Sequence, residues 1–409
     1  MSLKATAWCK ARHSLRSFQP STRHTHTPTV YVRHSASKQR TLVPMIPSIG
    51  LDTLLMFSVG GLLIYLAIAK EYEPTLLLPI GFGVLLGNLP NSPMNQPEGL
   101  LHILIEFGIN TELFPLFIFI GIGAMMDFRP LLSQPIFAIL GAAGQLGIFA
   151  TLILATLVGF PLNEAASIAV IGAIDGPTSI YVSSLLAPHL LPAIAVTAYS
   201  YMSLVPIIQP PLMRLFTTKA ERRIRMEYAP RPVPRSAVIA FPIIVTVVVG
   251  ILVPASAPLV ATLMFGSLLK ESGVVPQLAN TASNELANLS TIFLGLTVGS
   301  LMQADTFLQV DTLLILLLGL VAFAFDTVAG ILFGKGLAAV TRGKINPLVG
   351  AAGISAFPMS GRLVQKVAQE EDFTNHVLMH AMGANTAGQL GSVIAGGVLL
   401  TLVTLLGTG

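Results

Sequence analysis

The stretch Gly172-Ala173-Ile174-Asp175-Gly176-Pro177 decides how this sequence folds. It places an acid inside an apolar segment, between residues that favour an unwound backbone, because proline lacks an N–H donor and glycine tolerates unusual dihedrals. A carboxylate within a membrane segment is costly and is by default a functional candidate. A carboxylate at a helix end, exposed to water or held by a cap, is the alternative. The stretch therefore predicts a broken helix with a polar site at Asp175.

The composition around this stretch indicates a membrane protein. Of 409 residues, 53% are hydrophobic and only 10% are charged, whereas soluble domains carry about 25% charged residues. Apolar segments follow one another closely along the chain, and a helical membrane crossing needs about 20 residues. We therefore expect an all-α polytopic membrane protein of about ten or eleven helices, some of them half-helices or hairpins, with lipid as its solvent.

The charges are concentrated in an N-terminal tail. Residues 1–44 contain eight of the 23 Lys and Arg residues and no acid, which leaves 15 basic against 19 acidic groups elsewhere. This net negative remainder gives no indication of nucleic-acid binding. The tail is similar in composition to an organelle transit peptide, but we expect it to be disordered, or untranslated with Met45 as the true start. The single cysteine, Cys9, excludes a disulfide framework.

A basic segment, residues 217–236, divides the rest of the chain into halves at 45–216 and 237–409. The positive-inside rule places this segment in the cytoplasm. Three short motifs recur in the same order about 180 residues apart, and such duplication predicts two structural repeats, expected to be inverted, with a binding site between them. The matched pairs are Phe82–Leu86 with Phe265–Leu269, Ile118–Gly121 with Ile292–Gly295, and Gly172–Pro177 with Gly350–Pro358.

The second half has its own glycine and proline break, which begins at Asn346-Pro347 and runs to Arg362. Asn346 and Ser355 offer neutral oxygens to a cation there. Arg362 could hold an anionic carboxylate by a bidentate contact, or its side chain could extend to the membrane interface instead.

Other polar residues in apolar sequence have two interpretations each. Tyr201 precedes a run of prolines and could bind a cation or relay a proton, but membrane-surface tyrosines are common. Asn385 lies among small residues in what we expect to be a third break, as a ligand or as a packing hydrogen bond. Asp326 and Lys335, nine residues apart, are candidates for pairing with other helices or at the membrane interface.

Three long motifs resemble the β subunit of the sodium-pumping biotin-dependent decarboxylases, a family that acts on oxaloacetate, methylmalonyl-CoA, glutaconyl-CoA or malonate. The resemblance covers roughly residues 48–409, and the tail before it departs from the family pattern. The motifs are Ala173–Thr178, Asn346–Arg362 and the run Tyr65-Leu66-Ala67-Ile68-Ala69-Lys70-Glu71-Tyr72-Glu73-Pro74.

The resemblance implies a function and a set of site residues. A soluble α subunit, a carboxyltransferase with a biotin carrier, would deliver carboxybiotin, and this chain would decarboxylate it, consume a proton and export Na⁺. A small γ-type membrane subunit, a homo-oligomeric state and the cell membrane are also implied. The family's key residues match Asp175, Tyr201, Ser355 and Arg362 for catalysis and Arg362 for carboxybiotin. For sodium they match Asp175, Asn346, Gly350, Ser355 and Asn385.

Two other functions are alternatives to this one. A stand-alone secondary cation/proton exchanger would use the same repeats and Asp175 but would need neither a biotin protein nor Arg362. A membrane anchor for a soluble enzyme would have no use for an intramembrane carboxylate. The sequence contains no phosphate-binding loop, dinucleotide fingerprint or nucleophile elbow.

Overall fold

The structure is a computed structural model that describes residues 50–226, 232–307 and 309–407. Within these ranges the chain is helical and contains no β-strand, so the all-α prediction is confirmed. The basic tail predicted at residues 1–44 lies outside the described residues.

The first half of the chain contains ten described helices. Short helices alternate with longer ones, because proline or glycine interrupts the apolar sequence at several points. The helices are α1 (Leu51–Ala69), α2 (Pro74–Gly87), α3 (Leu100–Leu104), α4 (Leu113–Met125), α5 (Arg129–Ser133), α6 (Phe137–Ala143), α7 (Leu146–Val158), α8 (Leu162–Ala169), α9 (Gly176–Leu186) and α10 (Leu191–Phe216).

The second half contains nine described helices. The first of them is a single turn that opens with a capping box between Thr218 and Glu221. The helices are α11 (Lys219–Arg222), α12 (Arg235–Leu252), α13 (Ala257–Ser272), α14 (Pro276–Thr281), α15 (Ala287–Leu301), α16 (Ala304–Phe307), α17 (Val310–Val340), α18 (Met359–Glu371) and α19 (Leu378–Gly407).

Six of the described helical segments are long and apolar enough to cross a membrane, or seven if the bent pair that ends in α4 is one span. The six are α1, α6 with α7, α10 with the turn before it, α12, α17 and α19. The predicted number of ten or eleven helices included half-helices. α2 and the segment Leu162–Ala173 are shorter apolar helices of this kind. The side chains of α1 and α12 are mostly unburied, as expected of helices that face lipid.

Two of the three predicted breaks, those at Asp175 and after Asn346, are present. After α8 the chain forms a short 3-10 turn, Val170–Ala173, and Ile174 then takes a left-handed conformation at φ 54°. A β-branched residue rarely adopts such a dihedral, and strain of this kind concentrates at functional sites. The second break is the longer 3-10 segment Pro347–Gly353, which packs on α17. These two breaks place unwound backbone in the interior of the bundle.

Two helices of the first half each pack on a helix of the second half. α2 packs on α15, and α4 packs on α13. A Cβ on Gly83 of α2 would lie 3.0 Å from the Gly299 Cα of α15, and one on Gly266 of α13 would lie 2.8 Å from the Ala124 N of α4. If α2 corresponds to α13 and α4 to α15, each pairing maps onto the other. This exchange supports the repeats, which remain a prediction.

Ion pairs attach the last turn of α10 and the segment that follows it to the end of α18. Arg214 pairs with Glu370 at 2.8 Å, and the buried Arg222 pairs with the partly buried Glu371 at 2.6 Å. Arg225 lies 2.8 Å from the Asp372 carboxylate. The described first part of the predicted basic linker, residues 217–226, is thus docked on one end of the helix bundle, although its cytoplasmic location remains a prediction.

Candidate functional site

Asp175 caps the N-terminus of α9. Its Oδ1 accepts a 3.4 Å bond from the Thr178 backbone N–H, and its Oδ2 accepts a 2.8 Å bond from the Thr178 hydroxyl. An aspartate at this position satisfies N–H groups that a helix start leaves unpaired, and the dipole of the helix favours its negative charge. The cap alternative raised by the sequence is therefore realised, but the carboxylate is only 3% exposed.

Two side chains from α19 complete the surroundings of Asp175. The Gln389 Nε2 donates to Asp175 Oδ2 at 2.7 Å, and the Ser392 hydroxyl donates to the same oxygen at 2.9 Å. Oδ2 thus accepts three bonds, whereas the bond from Thr178 N is all that Oδ1 accepts among the described residues. A carboxylate oxygen has two lone pairs, so Oδ1 retains capacity for a further ligand.

All of these partners of Asp175 are neutral. Within the described ranges, no Lys, Arg or His forms an ion pair with its carboxylate. Hydrogen bonds from a hydroxyl, an amide and a backbone N–H stabilise a buried anion, but they do not supply a compensating charge, and an unpaired buried charge is expensive. The arrangement is therefore suited to a bound cation or proton.

The second break brings Ser355 beside the first. Its backbone N–H donates to Ala173 O at 3.3 Å, and its hydroxyl donates to Gly388 O of α19 at 3.2 Å. The Asn385 Nδ2 donates to Ile354 O at 2.7 Å, while its buried Oδ1 has no hydrogen-bond partner. The structure thus brings together Asp175, Ser355 and Asn385, three of the predicted site residues.

A cavity of about 200 Å³ opens onto Asp175. Its polar lining includes Glu73, Asp175, Tyr199, Ser355 and Gln389, and much of the remainder is apolar. The two breaks and α19 therefore meet at one space, in which an ion or a small polar group could contact both halves of the chain.

Glu73 and Arg362 lie near one side of this cavity. Glu73 precedes α2 and is half-buried, and Arg362 is exposed in the first turns of α18. Burial raises the pKa of Glu73, and the nearby positive charge of Arg362 offsets part of that increase. Arg362 has no contact with Asp175 among those described, so the structure places it at the edge of the site.

The two tyrosines of α10 have different positions. Tyr201, the predicted site residue, donates its hydroxyl to Leu316 O of α17. Tyr199 instead lines the cavity, and a Cβ on Gly176 would lie 2.5 Å from its ring. The Tyr199 hydroxyl is buried and has no hydrogen-bond partner. Tyr199, rather than Tyr201, therefore faces Asp175.

Asn346 and Gly350 lie away from the Asp175 hydrogen bonds. Asn346 caps the second break through Leu348 N at 3.0 Å, and its amide donates to Arg222 O at 3.1 Å and to Ile224 O at 2.8 Å. Gly350 packs on Gly330 of α17 so closely that a Cβ would lie 2.6 Å from the Gly330 carbonyl carbon. In this conformation both residues hold the break in place.

Thr178, Gln389 and Ser392 were not among the predicted site residues. A signal was available, because Asn385, Gln389 and Ser392 follow at i, i+4 and i+7 and so share one face of a helix. The prediction of a third break at Asn385 was wrong, since α19 is continuous from Leu378 to Gly407. Its small residues serve close packing instead, as Gly388 does against Gly353.

A carboxylate-centred site between two broken segments, inside a bundle of membrane-length helices, defines an α-helical membrane protein built for an ionic ligand. The family model described as the Na⁺-transporting oxaloacetate decarboxylase beta subunit matches residues 52–403. The chain therefore belongs to this family of multi-pass cell-membrane proteins.

Named relatives agree with the family model. The chain is 50% identical to the methylmalonyl-CoA decarboxylase subunit beta of Veillonella parvula, over 86% of this chain and 93% of the relative. It is 49% identical to the glutaconyl-CoA decarboxylase subunit beta of Acidaminococcus fermentans, over 85% of this chain and 92% of the relative. It is 45% identical to the oxaloacetate decarboxylase beta chain 2 of Salmonella typhimurium, over 87% of this chain and 96% of the relative.

These matches confirm the resemblance inferred from the motifs. The family consists of membrane subunits of decarboxylases that couple decarboxylation to sodium transport, so the predicted enzyme class and the membrane location are confirmed. A stand-alone cation/proton exchanger is not favoured, because the relatives are named as decarboxylase subunits.

Proposed function

We propose that the chain binds Na⁺ at Asp175 and couples its export to decarboxylation of carboxybiotin. The observation that carries this proposal is the buried Asp175 carboxylate, whose described partners are all neutral. Na⁺ prefers oxygen ligands; Asp175 Oδ1 retains lone-pair capacity, and the Thr178 and Ser392 hydroxyl oxygens lie 2.8 and 2.9 Å from Asp175 Oδ2. The cation would balance the charge that these neutral groups leave uncompensated.

A second Na⁺ position is supported at Ser355 and Asn385. The buried Oδ1 of Asn385 has no partner, and the Ser355 hydroxyl and the Gly388 carbonyl lie next to the same turn of α19. Asn346 and Gly350, predicted as sodium ligands, are better suited to positioning this break, because their described contacts are with backbone atoms.

Carboxybiotin would be delivered by a partner α subunit, and its carboxylate would be held by Arg362. The exposed guanidinium beside the cavity suits a bidentate contact with a carboxylate. Decarboxylation breaks the bond between the carboxyl carbon and the biotin nitrogen, releases CO₂, leaves the electron pair on nitrogen and consumes one proton there. The γ-type subunit and a homo-oligomer complete the proposed assembly.

The proton would reach the cavity through the pair formed by Tyr199 and Asp175. The Tyr199 hydroxyl faces the cavity without a partner, whereas the hydroxyl of Tyr201 is committed to Leu316 O. Tyr201 would then act as a positioning residue that ties α10 to α17, and loss of the proton from the Asp175 region would favour binding of Na⁺.

The test uses the purified chain in liposomes with free carboxybiotin, while decarboxylation and ²²Na⁺ movement are followed together. We expect Na⁺-stimulated decarboxylation with coupled transport, and loss of both in Asp175→Asn. Ser183→Ala is the matched control, because this buried α9 serine donates only to carbonyls of its own helix. Either activity retained in Asp175→Asn would contradict the assignment, and transport without decarboxylation by the unmodified chain would favour an exchanger.

A further inference from the structure

A second carboxylate, Asp326, is fully buried in the middle of α17. Its Oδ1 accepts a hydrogen bond from the Gly147 N–H in the first turn of α7. Its Oδ2 is buried and has no hydrogen-bond partner. A buried polar atom without a partner is uncommon in a folded protein, and it invites a functional explanation.

Asp326 also lies against the break that carries Asp175. A Cβ on Gly172 would be 3.2 Å from Asp326 Oδ2 and 2.9 Å from Ala322, one turn earlier on α17. Gly172 is three residues before Asp175 in the same unwound segment. Any change in the backbone of that segment would therefore change the surroundings of both carboxylates.

Of the charged and titratable groups on the surrounding elements, Tyr199 of α10 lines the Asp175 cavity without a hydrogen-bond partner, and Arg214 of α10 pairs with Glu370. Lys335 of α17 pairs with Glu221 at 3.2 Å, and Glu164 of α8 pairs with His189 at 3.2 Å. Tyr201 of α10 bonds to Leu316 O, ten residues and about 15 Å along the helix from Asp326. α6, α7 and the 3-10 segments Val170–Ala173 and Pro347–Gly353 contain no titratable side chain, so the nearest acid on the first break is Asp175 itself.

One backbone N–H at a helix start offsets only part of the cost of a buried negative charge. A sodium ion would need several oxygen ligands, and the close approach of Gly172 to Oδ2 leaves little room for one. A proton on Oδ2 removes the charge without requiring space. The protonated acid is therefore the form that this site accommodates.

We propose that Asp326 is a proton-binding site and that Na⁺ binding at Asp175 releases its proton. The proposal deepens the proposed function and rests on the Na⁺ site at Asp175. A cation beside the shared break favours the ionised form of Asp326, and linkage requires the reverse, so that loss of the proton strengthens Na⁺ binding. The two carboxylates, which contact the same break from its own chain and from α17, would together exchange Na⁺ against a proton.

The first measurement is an infrared difference spectrum of the chain in liposomes, recorded with and without NaCl. We expect the carbonyl band of a protonated carboxylic acid without Na⁺, its loss on adding Na⁺, and its absence from Asp326→Asn. In Asp175→Asn the band should persist but no longer respond to Na⁺. A spectrum of Asp326→Asn identical to that of the unmodified chain would overturn the proposal.

The second measurement follows proton release on addition of NaCl with a pH-indicator dye. Asp326→Asn should release fewer protons, and its apparent Na⁺ affinity should lose pH dependence. Asp311→Asn is the matched control, because Asp311 is an exposed acid at the start of the same helix. Unchanged proton release in a folded Asp326→Asn would contradict the assignment even if Na⁺ still binds at Asp175.

If Asp326→Asn does not fold, the same spectrum is recorded for the unmodified chain labelled with ¹³C-aspartate. The label should shift the band that disappears with Na⁺, and a band that does not shift would overturn the proposal. Failure of the Na⁺ site is distinguishable, because the band would then be present but insensitive to NaCl. If the band is absent without Na⁺, the proposal that Asp326 is protonated is refuted.

Discussion

The Gln389 Nε2 donates a 2.7 Å hydrogen bond to Asp175 Oδ2 and so joins α19 to the first break. Ser392, one turn further along α19, donates to the same oxygen. The last helix of the chain therefore contacts the carboxylate that the first half provides. A ligand at Asp175 would change the hydrogen bonds of both halves at once, as alternating access between repeats requires.

Gln389→Leu removes this bond while it keeps most of the side-chain volume. A hydrogen bond to a charged group contributes about 1.5–3 kcal/mol, so we expect the Na⁺ concentration for half-maximal decarboxylation to rise about tenfold or more. Sodium titration of decarboxylation in liposomes measures the change. Leu390→Ala, which alters the neighbouring partly buried residue, is the control, and an unchanged sodium requirement in Gln389→Leu would argue against its role as a ligand.

Tyr199→Phe and Tyr201→Phe should change different properties, the first the pH profile and the second the stability. Tyr199→Phe removes a hydroxyl that faces the cavity, so the pH profile of decarboxylation should change while thermal stability is kept. Tyr201→Phe leaves Leu316 O without its donor, which costs about 1–3 kcal/mol and should lower the midpoint of unfolding. Rates across pH and thermal unfolding in detergent separate the two, and identical pH profiles for both variants would contradict the assignment.

The sequence was sufficient to predict the helical class, the family and the break at Asp175, because the signals for these are local. A charge between Gly and Pro marks an unwound segment without reference to the rest of the chain. The partners of Asp175 could not be assigned in this way, because Gln389 is 214 residues away. Which tyrosine faces the cavity depends on how α10 is rotated, which three-dimensional packing determines.

Gly350→Ala tests whether this glycine is needed for packing. The new Cβ would lie 3.2 Å from Ile331 N and closer still to Gly330 of α17. Overpacking typically costs about 1–3 kcal/mol, so both thermal stability and decarboxylation should fall. Gly336→Ala is the matched control on α17, because its Cβ would meet nothing within 4 Å. A Gly350→Ala variant with normal stability and a selective loss of Na⁺ affinity would favour a ligand role for its backbone.

Acid should release the segment that docks on the end of α18. Hydrogen bonds from Thr374, two residues away, and from Arg225 of the docked segment lower the pKa of Asp372 to about 2, and the part of this lowering that Arg225 causes stabilises the docked state above the ordinary value of about 3.9. This stabilisation is lost as pH falls from about 4 towards 2. Hydrogen exchange of residues 217–226 should therefore increase in that range, and Asp372→Asn should show the increased exchange already at neutral pH.

Arg362 provides the sharpest separation between carboxybiotin binding and Na⁺ binding. Arg362→Lys keeps a positive charge but loses the planar fork that holds a carboxylate by two bonds. We expect a higher KM for free carboxybiotin with an unchanged Na⁺ concentration for half-maximal rate, because Asp175 and its neutral partners are untouched. Lys366→Gln, which removes an exposed charge one turn further along α18, should leave both values unchanged. If Arg362→Lys instead altered Na⁺ dependence alone, Arg362 would act on the ion site, and carboxybiotin would have to be held by another group at the cavity.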